Sequence, residues 1–299
     1  MTPTEHATAA QALLQAEATG QQIGLLSLQY PGIDMDDAYA IQSALAQAKL
    51  AQGRKVIGWK IGLTSKAMQY ALNIDIPDSG ILFDDMAFAS GATVPEGRFI
   101  QPRIEAEIAF VMKAPLAGDT VTRNDVLAAT DYVAPSLEIL DTRILRSDPT
   151  TGQVRNVFDT ISDNAANAGI VLGQARHAVD AFDLRWVGAL TFRNGEIEET
   201  GLGAGVLNDP VESVVWLARR MAQYGQRIDL FCRSFITADA AAGGCNRYLD
   251  SDQHQGRPAD AADQSLAAGE LFLDLAGCRL PDAVAYFFQR QSVSGGAQR

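Results

Sequence analysis

The chain has little of what several functional classes require. Among its 299 residues are three cysteines, Cys232, Cys245 and Cys278, all late and without the CxxC spacing of a zinc or redox pair. A disulfide framework is therefore not expected, and a reducing cytoplasm is the expected compartment. Histidine is as scarce: His6, His177 and His254 are far apart in sequence, which speaks against a histidine-rich metal site. No run approaches the roughly 18 apolar residues of a membrane span. The opening MTPTEHATAAQALLQAEATG lacks the basic start and unbroken apolar stretch of a secretory leader. Basic residues are in deficit, 24 Lys and Arg against 36 Asp and Glu, for a net charge of −12. That disfavours a nucleic-acid surface, which needs clustered cations. It leaves an anionic substrate open, because a bound divalent cation can reverse the local sign.

What is present reads as an ordinary globular enzyme-sized chain. The composition, 47% hydrophobic and 20% charged, suits one large domain with its own core, or one domain behind a helical preface. The first 55 residues read helical: Asp34 is a candidate N-cap for an Ala-rich helix carrying Ile41, Leu45 and Ala48 and stopped by Gly53. Short apolar runs punctuated by Gly, Pro and Asp follow, with strands expected at 56–63, 104–112, 133–140, 168–172 and 184–193. Two helices interrupt them, one starting at Thr122 with Asp125 in the capping-box place, the other at Asp209 with Pro210 at N1. From about residue 232 the chain turns rich in Ala, Asp, Gln and Gly and reads as a long loop or partly ordered tail.

Several stretches carry chemistry. In QPRIEAEIAFVM strict alternation places Ile104, Ala106, Ile108 and Phe110 on one strand face and Arg103, Glu105, Glu107 and Ala109 on the other. Same-face neighbours lie roughly 7 Å apart, so Glu105 and Glu107 repel unless water, an arginine or a cation offsets them. A solvated face is one reading. Glu138, between Leu137 and Ile139 in an apolar strand, supplies a third carboxylate in an expensive place for an unpaired charge. Three carboxylates on two such strands suit Mg²⁺ or Mn²⁺, hard cations that prefer oxygen. Lys60, in VIGWKIGL, shares its face with Gly58 and Gly62, so its amine stands over bare backbone. It reads either as a lysine snorkelling at a strand end or as a site lysine with room for a ligand. Pro77-Asp78-Ser79-Gly80 is turn chemistry. Ser162, Asp163, Asn164 and Asn167 crowd before an apolar strand, as caps and turns or as a ligand-lining loop. TGLGAGVL tempts a nucleotide reading through Gly201, Gly203 and Gly205, but the dinucleotide spacing fails at Val206, leaving a tight turn or bulge.

These residues together resemble the hydratase branch of the fumarylacetoacetate hydrolase superfamily. The matching stretches are GWKIGLTSKAMQ, IPDSGILFDDM, RFIQPRIEAEIAFVM, ATDYVAPSLEILDTRI, VRNVFDTISDNAANAGIVLG and NGEIEETGLGAGVLNDPVESVVWLA, in family order from about residue 31 to 228. The run RNVFDTISDNAANAG resembles the branch members that act on a seven-carbon dioate. The resemblance implies an α+β fold, a mixed β-sheet roll or barrel with peripheral helices. It would have a helical segment at 1–55, a catalytic domain at 56–231 and an atypical, partly irregular segment at 232–299, assembled as a homo-oligomer. RSFITA and AAGELFLDLAGC, at 233–238 and 267–278, each echo only a fragment of the family's closing strands. Glu105, Glu107 and Glu138 match the family's Mg²⁺ ligands, Lys60 and Asp78 its acid–base residues, and Ser162 its substrate-contacting serine. A dioate would also need a cation for its distal carboxylate, for which Arg155 is the candidate. The implied activity is Mg²⁺-dependent hydration of a 2-hydroxy-2,4-dienoate to a 4-hydroxy-2-oxo acid, in the catabolism of aromatic compounds such as homoprotocatechuate. Alternatives are a 2-oxo acid decarboxylase of the 4-oxalocrotonate type and a catalytically silent partner subunit. A C–C hydrolase would need a histidine–carboxylate pair, which the histidine positions oppose.

Overall fold

The computed structural model describes residues 1–72, 74–193 and 196–228, and the backbone of three further strands at 235–239, 269–275 and 280–289. The N-terminal part is helical, as the composition leads one to expect. Helix α1 (Pro3–Thr19) starts at a capping box between Thr2 and Glu5. After the single turn α2 (Leu26–Gln29), α3 (Met35–Ala51) starts at a second box between Asp34 and Asp37. Leu13, Ile41 and Leu45 are buried against Leu25, Leu26 and Ile144. Each such aliphatic side chain contributes about 1.5–3 kcal/mol on full burial. Ile144 comes from the far side of the chain, so these helices are bonded into the main body.

That body is a seven-stranded mixed sheet. Its strands are β1 (Val56–Gly62), β2 (Asp78–Phe83), β3 (Ala87–Ala89), β4 (Arg103–Met112), β5 (Thr130–Leu140), β6 (Asn167–Leu172) and, from late in the chain, β9 (Phe235–Asp239). In space they run β2-β1-β9-β4-β5-β6-β3, with β1–β9 and β3–β6 parallel and the other pairs antiparallel. Strands β7 (Val187–Arg193), β8 (Glu196–Leu202), β10 (Gly269–Leu275) and β11 (Leu280–Gln289) form a second, antiparallel sheet in the order β10-β11-β7-β8. Among the described residues neither sheet closes, so the α+β class is met by two open sheets rather than a barrel. Short helices α4 (Lys66–Leu72), α5 (Arg123–Ala129) and α6 (Val157–Ser162) and the longer α7 (Pro210–Gln223) complete the described α-helices.

Alternation decides which face of β4 is buried in the core. Ala106, Ile108 and Phe110 pack with Leu137 and Ile139 of β5 and with the apolar stripe of α7, Val211, Val214, Val215, Leu217, Ala218 and Met221. The glutamates on the other face are thereby turned away from this core. Two expectations from sequence differ in the structure. Pro77-Asp78-Ser79-Gly80 is not a turn: Asp78 opens strand β2, which pairs antiparallel with β1 over Gly62↔Asp78 to Val56↔Phe83. Pairing with β1 outweighs local turn propensity, and Pro77, which has no N–H to donate, stands just outside the strand. The segment after 232 contributes three strands, one of them between β1 and β4; its remaining residues lie outside those described.

Candidate active site

The face of the seven-stranded sheet opposite the α7 core gathers the charged side chains. Glu105 pairs directly across the strands with Glu138, and Glu107 with Ser136. A carboxylate oxygen from each of Glu105, Glu107 and Glu138 lies within 4.8 Å of the others. Glu107 and Glu138 are fully buried and Glu105 keeps partial exposure, which leaves one side open to solvent. Neither oxygen of Glu138 has a hydrogen-bond partner among the described residues. Buried carboxylate oxygens without donors are costly, and an all-oxygen set of this spacing fits a hard divalent cation. Glu105, Glu107 and Glu138 would hold it.

Lys60 enters from β1. Its Nζ lies 3.6 Å from Glu138 Oε1 and 3.7 Å from Asp78 Oδ1. Both flanking strands set this geometry: Lys60 is opposite Gly80 on β2 and Thr237 on β9. Burial would lower the Lys60 pKa, but the fields of Glu138, Asp78, Glu105 and Glu107 outweigh it and hold the amine protonated, above the ordinary lysine range. The carboxyls move the other way. Burial pushes Glu138 up to about 8, with Lys60 opposing and Glu105 and Asp78 adding to the rise. Burial likewise raises Asp78, against the pull of Lys60, and raises Glu105. Gly62 makes room for Lys60: a Cβ there would stand 2.5 Å from Asp78 Oδ1 and 2.7 Å from Lys60 Nζ.

Ser162 ends α6, fully buried, with no partner for its Oγ among the described residues. The chain then makes a left-handed turn, Asn164, Ala165 and Ala166 at φ 53°, 53° and 57°. Such backbone costs a non-glycine residue roughly 1–2 kcal/mol and persists where the surroundings over-determine it. Here Arg143 does so. It bonds Asp163 through its backbone N–H (2.8 Å), through Nε to the carboxylate (2.5 Å) and through Nη2 to the carbonyl (2.6 Å), and it reaches Asn167 O through Nη1 (3.2 Å). Arg155 is half-buried, with Nη1 unpartnered, and makes no ion pair among the described residues. Its field nonetheless reaches Asp78, countering the rise there.

The structure thus brings together Glu105, Glu107, Glu138, Lys60 and Asp78, with Ser162 at the end of α6 and Arg155 just before that helix begins. Sequence reasoning passed over Arg143, whose pattern LDTRIL carries no distinguishing signal. It also passed over Glu199 on β8, an apparent surface residue whose carboxyl is pushed up to about 7 by burial and by the nearby Glu105 and Glu198. A cleft of about 780 Å³ between α3 and α7 opens behind Trp59 and Ser79, on the other side of the β1–β2 pair, and none of the three glutamates lines it.

Fold and site together present a buried carboxylate triad with a lysine–aspartate pair beside it. No family model matches the sequence, but individual relatives do. The chain is 53% identical over 224 residues to 2-oxo-hept-4-ene-1,7-dioate hydratase of Escherichia coli, covering 75% of this chain and 84% of that one. It is 43% identical over 226 residues to 2-keto-4-pentenoate hydratase of Paraburkholderia xenovorans (strain LB400), covering 76% and 82%. The solved 4-oxalocrotonate decarboxylase from Pseudomonas putida G7, complexed with magnesium and adipate, superposes with a TM-score of 0.73 at 33% identity, over 81% of this chain and 91% of that one. The chain belongs to the hydratase branch of the fumarylacetoacetate hydrolase superfamily. It is an enzyme of the hydro-lyase class, as its hydratase relatives are.

Proposed function

We propose that the chain hydrates 2-oxo-hept-4-ene-1,7-dioate, presented as its 2-hydroxy-2,4-dienoate tautomer, to a 4-hydroxy-2-oxo acid, with Mg²⁺ as the cation. The observation that carries this reading is Lys60 wedged between Asp78 and Glu138 at 3.7 and 3.6 Å, directly beside the triad. A divalent cation held by Glu105, Glu107 and Glu138 would neutralise the C1 carboxylate and C2 oxygen of such a substrate and favour its enolate form. Lys60, kept protonated by four carboxylates, presents an ammonium as proton donor. Asp78, made less acidic by burial, is the adjacent group able to take or return the proton during ketonisation. Water then adds at C4 of the conjugated 2-oxo-3-enoate. Ser162 offers a buried hydroxyl to the substrate, and Arg155 an unpartnered guanidinium N–H to the distal carboxylate. The 53% identity to a dioate hydratase supports the seven-carbon substrate; a place in homoprotocatechuate breakdown, in the cytoplasm, is part of the same proposal. Exposed Trp186, just before β7, and exposed Ile197 and Leu202, on the edge strand β8, support a homo-oligomer.

The likeness to a decarboxylase favours one second reading, in which the same site stabilises the enolate left by CO₂ loss. Purified protein incubated with the synthetic dienol dioate, with Mg²⁺ or EDTA, decides between them. Metal-dependent loss of dienol absorbance to a hydroxylated product is expected; CO₂ release would install the decarboxylase reading. Full activity and Mn²⁺ affinity in Glu105→Gln would remove the triad from the mechanism. In Arg155→Gln, a raised KM for the dioate but not for a five-carbon monoacid would support the distal-carboxylate role.

A further inference from the structure

Asp78 and Ser162 lie 84 positions apart in the chain, and among the described residues no hydrogen bond runs directly between their elements, β2 and α6. What joins their elements is a seam of three carboxamides. Gln42, buried on α3, donates from Nε2 to Ser79 O (2.8 Å) and to Ile161 O (3.1 Å). Those carbonyls belong to the residue after Asp78 and the residue before Ser162. Asn164, in the left-handed turn, accepts from Ile81 N–H at Oδ1 (2.8 Å) and donates from Nδ2 to Ile81 O (2.9 Å), as a strand partner would. Asn167 adds a donation to the same carbonyl (3.1 Å). Between these contacts Gly80 packs backbone on backbone, since a Cβ there would stand 2.4 Å from Asn164 O.

Strand β2 is the edge of its sheet, and Asp78 is its first residue. On one side β1 holds it; on the other, side-chain amides hold Ser79 and Ile81, two of the three residues that follow Asp78. We propose that Gln42 and Asn164 are positioning residues that set the spacing of Asp78 and Ser162 across the substrate. The left-handed turn exists to aim the Asn164 carboxamide at Ile81, with Arg143 clamping the turn from behind. This rests on the hydratase reading above, but the seam is also measurable without turnover. The triad sits on β4 and β5, outside the seam, so cation binding and alignment separate.

The test uses full-length, metal-loaded Gln42→Met, which keeps volume and removes both donations, and Asn164→Gly, which removes the carboxamide while relieving the positive φ. In both, kcat should fall by roughly tenfold or more, since small misplacements at a reacting centre cost this much. KM should change less than about threefold, because ground-state binding is left to the cation and Arg155. The pH profile of kcat should shift as Asp78 moves relative to Lys60, Mn²⁺ affinity should stay unchanged, and Ile81 N–H exchange should accelerate while the β4 and β5 amides keep their protection. Unchanged kcat and pH profile with an unprotected Ile81 would overturn the proposal. So would equal losses of Mn²⁺ affinity and of β4–β5 protection, which mark general loosening. If the wild-type chain hydrates no dienol, the hydratase reading fails, whereas unaltered Ile81 exchange in Asn164→Gly sinks the seam on its own.

Discussion

A methyl group on Gly62 would fall within 2.7 Å of both Lys60 Nζ and Asp78 Oδ1. Both obstructing atoms end side chains that can swing aside, so the backbone need not yield. Gly62→Ala should therefore leave thermal stability and Mn²⁺ binding near wild type while kcat drops by about one to two orders of magnitude; unimpaired turnover would mean the Lys60–Asp78 contact is dispensable. Glu138 supports a prediction in pH. Its carboxyl ionises at about 8 in the metal-free fold against 4.5 as an ordinary glutamate. A folded-state pKa raised in this way gives a stability contribution that is full below about 4.5 and lost as pH rises through about 8. Metal-free protein should lose melting temperature across that window, and Mg²⁺ should restore it. Mg²⁺ affinity should climb over the same range as the proton leaves, which calorimetry at pH 6, 7 and 8 checks.

At the scale of elements, α6 and the turn after it depend on one buried pair. Arg143 and Asp163 are almost fully buried and make three mutual hydrogen bonds. Removing one partner leaves the other charged and uncompensated, so Asp163→Asn should cost about 3–5 kcal/mol in urea unfolding. The double change Arg143→Met with Asp163→Asn should cost less than the sum of the two single changes, a deficit the double-mutant cycle reads directly. Elements whose signals are local were legible beforehand. The N-cap at Asp34, the capping box at Thr122 and the Asp209-Pro210 start stand where the sequence put them, because each cap acts within four residues. Strand β2 was not legible, because its turn-forming residues are overruled by a partner 16 positions upstream.

For the molecule as a whole, β9 is the strand that assembles the site. Thr237 is paired with Lys60 on one side and Ala109 on the other, so β9 sets the distance between the lysine strand and the glutamate strand. Proline lacks the N–H a central strand needs, and Thr237→Pro should remove a ladder hydrogen bond and destabilise the sheet. We expect a depressed melting temperature and loss of Mn²⁺-dependent activity together; wild-type values for both would place β9 outside the sheet's structural core. Read from sequence alone, this stretch looked like part of a loose tail, since five residues among Ala-, Asp- and Gly-rich neighbours carry no periodicity to announce a strand.

The sequence by itself determined the chemistry on offer: two glutamates on one face of β4 by a period of two, a third in an apolar strand, a lysine over glycine, and no histidine or cysteine set to compete. Those are short-range facts, set by side-chain type and the geometry of an extended chain. Only the tertiary structure decided that Glu138 stands opposite Glu105, that Lys60 reaches them across a strand from late in the chain, and that Asp78 opens a strand. Such pairings join segments tens to almost two hundred residues apart. They are selected by burial and backbone pairing over the whole core, not by any pattern a local stretch contains.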